Sequence, residues 1–274
     1  MPVISTNTAA NSAVRYLNIN SAQESSALAK LSSGSKITSA SDDAAGLAIS
    51  TRISSDVTTL QQAATNASQA TSILQTADGG ASNISDILSR MKSLASESSS
   101  GTVTDSSRSY LQSEFSQLNS EIDSIATGTR YSGQSLLDGT SAFASGTSIL
   151  VGSNASDTIT VTLSDLKSAT IGTSSLDIST QSGATAALTA LDTAINTVSS
   201  ARASIGAQES RFNFSSSSIS TQSQNLQSAN SAITDVDIAS EQATLSSAEV
   251  KTQAAVSAES AANQMPQYLL KLLG

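Results

Sequence analysis

The sequence contains no cysteine, no histidine and no tryptophan among its 274 residues. Without cysteine the chain can form no disulfide and offers no thiolate to a metal. Without histidine it also lacks the side chain that enzymes use most often for acid–base catalysis at neutral pH. A hydrolase built only from Ser, Lys and carboxylates is the alternative that stays open. The inventory therefore indicates a protein that is not an enzyme and that binds no cofactor or metal.

Aromatic residues and proline are also scarce. Aromatics make up 3% of the chain although hydrophobic residues make up 38%, and the two prolines, Pro2 and Pro266, lie near the two ends. Large globular cores normally use aromatic side chains for bulk, whereas Ala, Leu, Ile and Val suit narrow seams between helices. Neither proline interrupts the interior of the sequence. The composition therefore predicts long, uninterrupted helices.

Basic residues and long apolar runs are few as well. Lys and Arg together number 13 against 22 Asp and Glu, which gives a net charge of −9. Nucleic-acid binding needs clustered basic residues, so we expect no nucleic-acid partner. No apolar run approaches the roughly 20 residues of a membrane span, so we expect no membrane partner. Residues 1–20 lack a basic stretch followed by an apolar one, and we therefore expect no Sec signal peptide.

A ladder of large apolar residues, one at every seventh position, runs through the second half of the chain. This spacing is typical of a helix packed along a coiled-coil seam. At about 1.5 Å per residue the ladder would span roughly 60 Å, which favours a rod over the alternative of a helix in a compact bundle. The members of this heptad ladder are Leu191, Val198, Ile205, Phe212, Ile219, Leu226 and Ile233.

Four further helices are predicted around the ladder helix, which itself should run over about 183–231. They cover residues 5–33, 42–98, 105–127 and 238–273. Ser5 or Thr6 is the expected N-cap of the first helix, and Gly34 falls where a C-terminal glycine would end it. The helices predicted at 42–98 and 105–127 carry apolar residues at alternating spacings of three and four, so they can supply partners for the ladder.

The middle of the chain, residues 129–182, has no heptads. Residues 148–151 and 158–163 are rich in β-branched side chains and flank the turn-forming stretch Gly152-Ser153-Asn154-Ala155, which predicts a hairpin. Asp42 and Asp43 precede a predicted helix, so we interpret them as charges at a helix N-terminus and not as metal ligands.

The predicted fold is mainly α, a long antiparallel coiled-coil rod with a small β-hairpin at its outer end. Residues 1–40 and 235–274 form the predicted terminal-helix domain, and residues 41–234 form the rod domain, which includes the β element at about 130–182. The last helix ends in an apolar cluster that needs a partner to cover it. The residues predicted to carry polymerisation are Leu28, Leu31, Ile238, Leu245, Leu269, Leu270, Leu272 and Leu273.

Five segments resemble one known family. The stretch LSSGSKITSASDDAAGLAIS at residues 31–50 resembles the N-terminal signature of bacterial flagellin. VISTNTAANSAVRYLN near the start resembles the opening helix of that family, RYSGQSLLDG resembles the segment after its third helix, and ILVGSNASDTITVTL resembles its hairpin. AITDVDIASEQATLSSAEVKTQAAVSAESAANQMPQYLLKLL resembles its C-terminal signature. The resemblance covers nearly the whole chain, with its motifs in the family's order.

The resemblance implies an extracellular subunit that polymerises with itself into the flagellar filament for swimming. It implies that the terminal helices form an innermost domain lining a central channel, and that the chain is exported unfolded through the flagellar secretion apparatus. An export chaperone, a filament cap and hook-junction proteins are the implied partners. Because only about twenty residues separate the hairpin from the ladder helix, we expect no large outer domains. The alternatives are a hook–filament junction protein and a secreted helical adhesin.

The resemblance also implies a surface for the vertebrate innate receptor of flagellin. The matching positions are Arg90, Leu94 and Glu114, but Ser89 and Ser93 stand where the family's activating pattern has an amide and an acidic residue. Two long polar side chains are thus replaced by short ones, so we expect weak receptor binding at best. The alternative is that these residues only pack the seam.

Overall fold

The structure is a computed structural model that describes residues 7–273, without the side chains at positions 266 and 269–273. The helices are α1 (Thr8–Ser33), α2 (Ala44–Ser99), α3 (Asp105–Gly128), α4 (Ala142–Ser145), α5 (Ser168–Ile171), α6 (Gln181–Thr234) and α7 (Ile238–Leu273). The strands are β1 (Arg130–Tyr131), β2 (Gln134–Ser135), β3 (Thr147–Leu150) and β4 (Thr158–Val161). The predictions of a mainly α fold and of a hairpin at β3–β4 are confirmed.

The ends of α1 are set by two local side-chain and backbone features. The N-cap is Asn7, whose Oδ1 accepts a hydrogen bond from the Ala10 amide at 3.1 Å, so the expectation of Ser5 or Thr6 at this position is wrong. Asparagine is among the strongest N-cap residues. Gly34 ends the helix at φ 70°, as expected for a left-handed C-terminal cap.

The break between α1 and α2 is ordered by two carboxylates. Asp42 Oδ2 accepts hydrogen bonds from the Thr38 hydroxyl and from the amides of Ser39 and Thr38, each at 2.9 Å. These bonds stabilise the ionised form and lower the pKa of Asp42 to about 2. Asp43 Oδ1 accepts from the Gly46 amide at 2.9 Å and so caps the start of α2. Both aspartates therefore act on the backbone around a helix start.

The chain divides into two compact units, which we describe separately. The terminal unit comprises the residues up to Ser55 together with those from Asn225 onward. The central unit comprises Asp56–Gln224. The boundaries between these units fall inside the long helices α2 and α6.

The terminal unit contains an antiparallel pair of helices, α1 and α7, that meet along a narrow seam. Its members recur at alternating spacings of three and four and are buried or partly buried. On α1 they are Ala10, Ala13, Leu17, Asn20, Glu24, Ala27 and Leu31. On α7 they are Glu241, Leu245, Ala248, Thr252, Ala255, Glu259 and Ala262. Six of these fourteen residues are alanines and three are leucines, so the two helices bury a modest apolar surface against each other.

Polar contacts fix the register of this pair. Asn7 Nδ2 donates to the Ala262 carbonyl at 2.7 Å, and the Thr252 hydroxyl donates to Glu24 Oε2 at 3.2 Å. At the other end of the pair, the Lys36 amide donates to the carbonyl of Thr234 at 2.6 Å. Polar groups within a helical seam typically specify register at some cost in stability.

The central unit encloses a continuous apolar core between α2, α3 and α6. The first five members of the heptad ladder are buried in the structure, whereas Leu226 and Ile233, which belong to the terminal unit, are partly exposed. The large buried side chains that α2 and α3 contribute to this core include Leu74, Ile84, Leu88, Met91, Leu94, Phe115 and Ile122. The apolar residues of these helices pack against each other because they recur with similar spacing along each helix.

Side chains from the helices hold the irregular segment between β2 and α6. The Gln208 side chain, which is 8% exposed, accepts from the Thr162 amide and donates to the Thr162 carbonyl, each at 3.0 Å. Asp123 accepts from the amide and the hydroxyl of Ser168, each at 2.8 Å. These bonds satisfy backbone groups that lack partners in a sheet or helix. Between β4 and α6 the described chain contains only α5, in keeping with the absence of a large outer domain.

A small charged cluster links α2 to α6. Arg202 Nε donates to Asp78 Oδ1 at 2.9 Å. Glu209 lies two turns further along α6, and its Oε1 is buried with no hydrogen-bond partner among the described residues. Burial of this carboxyl, and then the negative charge of Asp78, raise the pKa of Glu209 above its ordinary value.

We expect Glu209→Gln to raise the melting temperature at neutral pH and to lose this advantage in acid. A carboxyl whose folded-state pKa is raised binds its proton more readily in the folded state. Its ionised form therefore destabilises the fold above that pKa, and the penalty disappears as the pH falls through it. Thermal unfolding of both proteins between pH 7 and pH 3 measures the difference. An advantage that stays constant, or grows, as the pH falls would contradict this assignment.

Candidate polymerisation surface

Most of the large apolar side chains that the described structure exposes belong to the terminal unit. In the terminal unit they are Val14, Tyr16, Ile19, Leu28, Leu47, Ile49, Ile238, Val250, Val256, Met265 and Tyr268. In the central unit, over its described residues, they are Tyr110 and Phe214. Soluble proteins rarely expose so many large apolar residues together unless another molecule covers them. The terminal unit is therefore the candidate binding surface.

The exposed residues lie on more than one side of the α1–α7 pair. On α7, Val250 falls midway between the seam residues Ala248 and Thr252, which places it on the side opposite the seam, whereas Val256 is directly beside the seam residue Ala255. Val250 is 68% exposed and Val256 is 50% exposed. A helix that is apolar all round is usually buried within a larger structure. The pair thus needs neighbours on several sides.

The contrast between seam and surface indicates where the stabilisation comes from. The seam uses alanines such as Ala27 and Ala255, while larger side chains such as Leu28 and Val256 point away from it. Fully burying a leucine or valine side chain is worth about 1.5–3 kcal/mol. Neighbouring molecules can therefore stabilise this pair more than the two helices stabilise each other.

The same unit also contains a groove. Its walls are small side chains of α1 and α7, among them Ser26, Ala27 and Ala248, and Lys30 and Lys251 contribute to its lining. A molecule that carries both protruding apolar residues and a groove can bind further copies through two different surfaces. Such heterologous contacts produce open helical polymers unless their rotation closes a ring.

The predicted polymerisation residues divide between surface and seam. Leu28 is 57% exposed and Ile238 is 65% exposed, so both are available to another molecule. Leu31 is partly buried and Leu245 is buried, and both lie in the α1–α7 seam. Leu269, Leu270, Leu272 and Leu273 lie in α7, but their side chains are outside the described residues.

The predicted receptor-like residues are only partly brought together. Arg90 donates to Glu114 Oε1 through Nε at 2.9 Å and through Nη2 at 2.6 Å, and both side chains are exposed. Leu94 is 1% exposed and packs in the core of the central unit, so it does not share their surface. Ser89 and Ser93 are exposed. Leu94 therefore packs within the molecule, as the alternative interpretation of these residues expects, whereas Arg90 and Glu114 form a surface ion pair.

Two negative findings concern residues 7–273, apart from the side chains left undescribed. No helix there combines the length and the hydropathy that a bilayer crossing requires. No group of acidic side chains in that part of the chain is arranged to hold a metal ion.

Comparison with known proteins decides the family. The sequence-family model of the bacterial flagellin N-terminal helical region matches residues 4–142. The family model of the bacterial flagellin C-terminal helical region matches residues 188–273. A flagellin of Halalkalibacterium halodurans is 36% identical over 273 residues, which cover 99% of each chain. The chain belongs to the bacterial flagellin family. The prediction made from the five sequence segments is confirmed.

Two solved structures resemble this flagellin. The crystal structure of Bacillus cereus flagellin matches with a TM-score of 0.52 and 31% identity, and the match covers 61% of this chain and 94% of that chain. A putative flagellar hook-associated protein from Vibrio parahaemolyticus matches with a TM-score of 0.59 over 71% of this chain and 100% of that chain. At 16% identity the second match shows a shared fold alone.

Membership of the family establishes the function in outline. Flagellins are structural proteins of the flagellar filament, so this flagellin is a filament subunit that serves motility and is not an enzyme. As a filament component it is exposed outside the cell. The match to flagellin over 99% of both chains favours this role over the alternatives of a junction protein or an adhesin.

Proposed function

We propose that subunits of this flagellin bind each other chiefly through the terminal unit, and that residues 1–40 and 235–274 form the innermost domain and line the filament channel. Residues 41–234 would then form the next domain outward. The observation that carries the proposal is the set of large apolar side chains exposed on several sides of the α1–α7 pair. Only a position surrounded by other subunits would remove that surface from water.

The predicted route and partners rest on family membership and on the same surface. Passage through the flagellar secretion apparatus requires an unfolded chain, and the small seam residues Ala10, Ala27 and Ala255 make the α1–α7 pair easier to open. An export chaperone would cover the apolar end of α7 before assembly. The filament cap and the hook-junction proteins would meet the same surfaces that subunits use for each other.

We expect the double variant Leu28→Ser, Val250→Ser to lose polymerisation while its monomer stays folded. Both side chains are more than half exposed, so their loss removes intermolecular burial and costs the monomer little. Each contact is repeated in every subunit, which makes the critical concentration rise by at least tenfold. Sedimentation of filaments grown from wild-type seeds measures that concentration, and circular dichroism of the monomer measures its fold.

The control for this variant is Ala29→Ser, which introduces the same residue type at an exposed position beside Leu28. It should leave the critical concentration within about a factor of two of the wild type. If the double variant grows on wild-type seeds at the wild-type critical concentration, the terminal-unit surface does not carry assembly.

We further propose that the monomer binds the vertebrate innate receptor of flagellin only weakly. Arg90 and Glu114 already pair with each other, and Leu94 is buried, so the surface offers few free groups. Ser89 and Ser93 are exposed but too short to reach a partner as an amide or a carboxylate would. Each missing hydrogen bond is worth about 1 kcal/mol.

We expect Ser89→Gln combined with Ser93→Glu to tighten receptor binding by roughly tenfold, because two hydrogen-bonding side chains are restored. Binding of the monomer to the immobilised receptor ectodomain measures the change. Ser85→Gln, one turn before Ser89 on α2, serves as the control for a polar addition elsewhere on the helix. Strong binding by the unmodified monomer that the double variant does not improve would show that the serines are irrelevant.

A further inference from the structure

The seam between α1 and α7 separates two sides of the pair, and the helical period assigns residues to one side or the other. A step of three residues is slightly less than one turn of an α-helix, and a step of four is slightly more. Residues outside the seam that come three positions after a seam residue therefore lie on one side, and those that come four positions after it lie on the other. Because α7 both faces α1 and runs in the opposite direction, the rule holds in the same sense for both helices.

One side of the pair is the groove. Around the groove, four residues outside the seam come three positions after a seam residue, and all four line it: Gln23, Lys30, Thr244 and Lys251. The small side chains of Ala27 and Ala248 also belong to its lining. The charged groups of the lining are the two lysines and the carboxylate of Glu241, so the groove has an excess of positive charge.

The opposite side, which we call the ridge side, carries large apolar residues and a negative charge. The residues that define it come four positions after a seam residue and are exposed: Val14, Leu28, Glu249 and Val256. None of these four described residues lines the groove. Exposed aliphatic side chains are stabilised when another surface removes them from water. The two sides of the pair therefore differ in the size of their side chains and in the sign of their charge.

We infer that the ridge side of one subunit docks into the groove of a second copy of this flagellin, with the carboxylate of Glu249 against the groove lysines. The inference rests on the proposed assembly through the terminal unit, and it names the two faces that meet. Large apolar side chains enter a groove with small walls, and opposite charges face each other. Because each subunit carries both faces on opposite sides, it can accept one neighbour and dock into another, which produces an open polymer.

The positions of the charges along the pair fit side-by-side docking. Glu249 and Lys251 belong to the same turn of α7 and lie on opposite sides of the pair. Two neighbours in the same orientation and at similar heights therefore place Glu249 of one subunit beside Lys251 of the other. Lys30 contributes to the same lining from α1 and extends the positive charge along the groove.

The test reverses the charge on each face of the full chain. Filaments of each protein are formed at high sulfate, where surface charges are screened, and are then diluted into low salt. Sedimentation measures the protein left in solution, which is the critical concentration. We expect Lys30→Glu with Lys251→Glu (the groove variant), and separately Glu249→Lys, to raise it at least tenfold, because like charges then face each other in every contact.

The decisive protein combines all three substitutions in one chain. Its ridge side is positive and its groove negative, so the match is restored, and its critical concentration should return to within about threefold of the wild type. Lys36→Glu is the control for the same charge change at an exposed lysine of the terminal unit that does not line the groove, and it should change the value less than about twofold. Circular dichroism of each monomer checks that its helices are intact.

A triple variant as impaired as the groove variant would overturn the inference, because the reversed charges would then not face each other. A groove variant with the wild-type critical concentration would overturn it as well. Failure of the broader proposal looks different, since the double variant Leu28→Ser, Val250→Ser would then polymerise like the wild type. If only the docking of ridge side into groove is wrong, that double variant still loses polymerisation while the charge variants behave as the wild type does.

Discussion

Replacing Arg108 by alanine is expected to lower the free energy of unfolding by about 3 kcal/mol. Arg108 is 6% exposed, and its guanidinium holds the C-terminal end of α2: Nε donates to the Ser98 carbonyl at 2.8 Å and Nη2 donates to the Ser100 carbonyl at 2.9 Å. Nη1 also pairs with Asp105 at 2.7 Å. The positive charge of Arg108 also interacts favourably with the negative, C-terminal end of the α2 dipole. The variant loses all of these contacts and leaves carbonyl groups unsatisfied.

Urea unfolding followed by circular dichroism measures the loss. Arg211→Ala is the matched control, because Arg211 is an exposed arginine of α6 and its removal should change stability by less than about 0.5 kcal/mol. Arg108→Lys should fall between the two, since an ammonium keeps the charge but not the fork of donors. If Arg108→Ala unfolds at the same urea concentration as Arg211→Ala, the capping role is wrong.

The neighbouring glycines of α2 are expected to respond to alanine with opposite signs. A Cβ at Gly80 would lie 2.4 Å from Thr129 Oγ1 and 2.9 Å from Leu137 Cδ1, so Gly80→Ala should cost about 2 kcal/mol through overpacking. Gly79 faces open space, so Gly79→Ala should gain about 1 kcal/mol from helix propensity.

The two variants are each other's control, because they introduce the same methyl group at adjacent positions. Urea denaturation midpoints should move in opposite directions, with no change in the slope that reports exposed surface. Stabilisation by both substitutions would show that Thr129 and Leu137 do not approach the helix as closely as the structure places them.

The long helices could be predicted from the sequence because their period is sustained. The heptad ladder repeats from Leu191 to Ile233 without a break, and that pattern predicts a helix and not a strand or a loop. Gly34 and the β-branched stretches around Gly152 gave equally local signals for a helix end and a hairpin. Family membership could be predicted because the signature segments lie near both ends of the chain.

The contacts that join distant parts of the chain could not be predicted. Arg108 reads as an ordinary exposed helix charge, and Gln208 as a surface amide, until tertiary packing brings Ser98 and Thr162 to them. The two-residue strands β1 and β2 and the single-turn helices α4 and α5 are too short to produce a period. Their positions follow from packing alone.

The terminal helices show a different limit of sequence reasoning. In α1 the apolar residues Leu17 and Leu31 lie in the α1–α7 seam, whereas Val14 and Leu28 are exposed. A helix that serves one partner within the molecule and others outside it carries several apolar faces at once. A single sequence does not separate those faces, because the hydrophobic effect has no direction.

Assembly itself is tested most directly by electron microscopy of the purified full-length chain, dissociated by heat or acid and then mixed with short filament fragments as seeds. We predict that the monomers add to the seeds and extend them into long helical filaments without large outer projections. Monomers that persist in the presence of competent seeds, at concentrations well above those at which related flagellins polymerise, would contradict the assignment of this chain as a filament subunit.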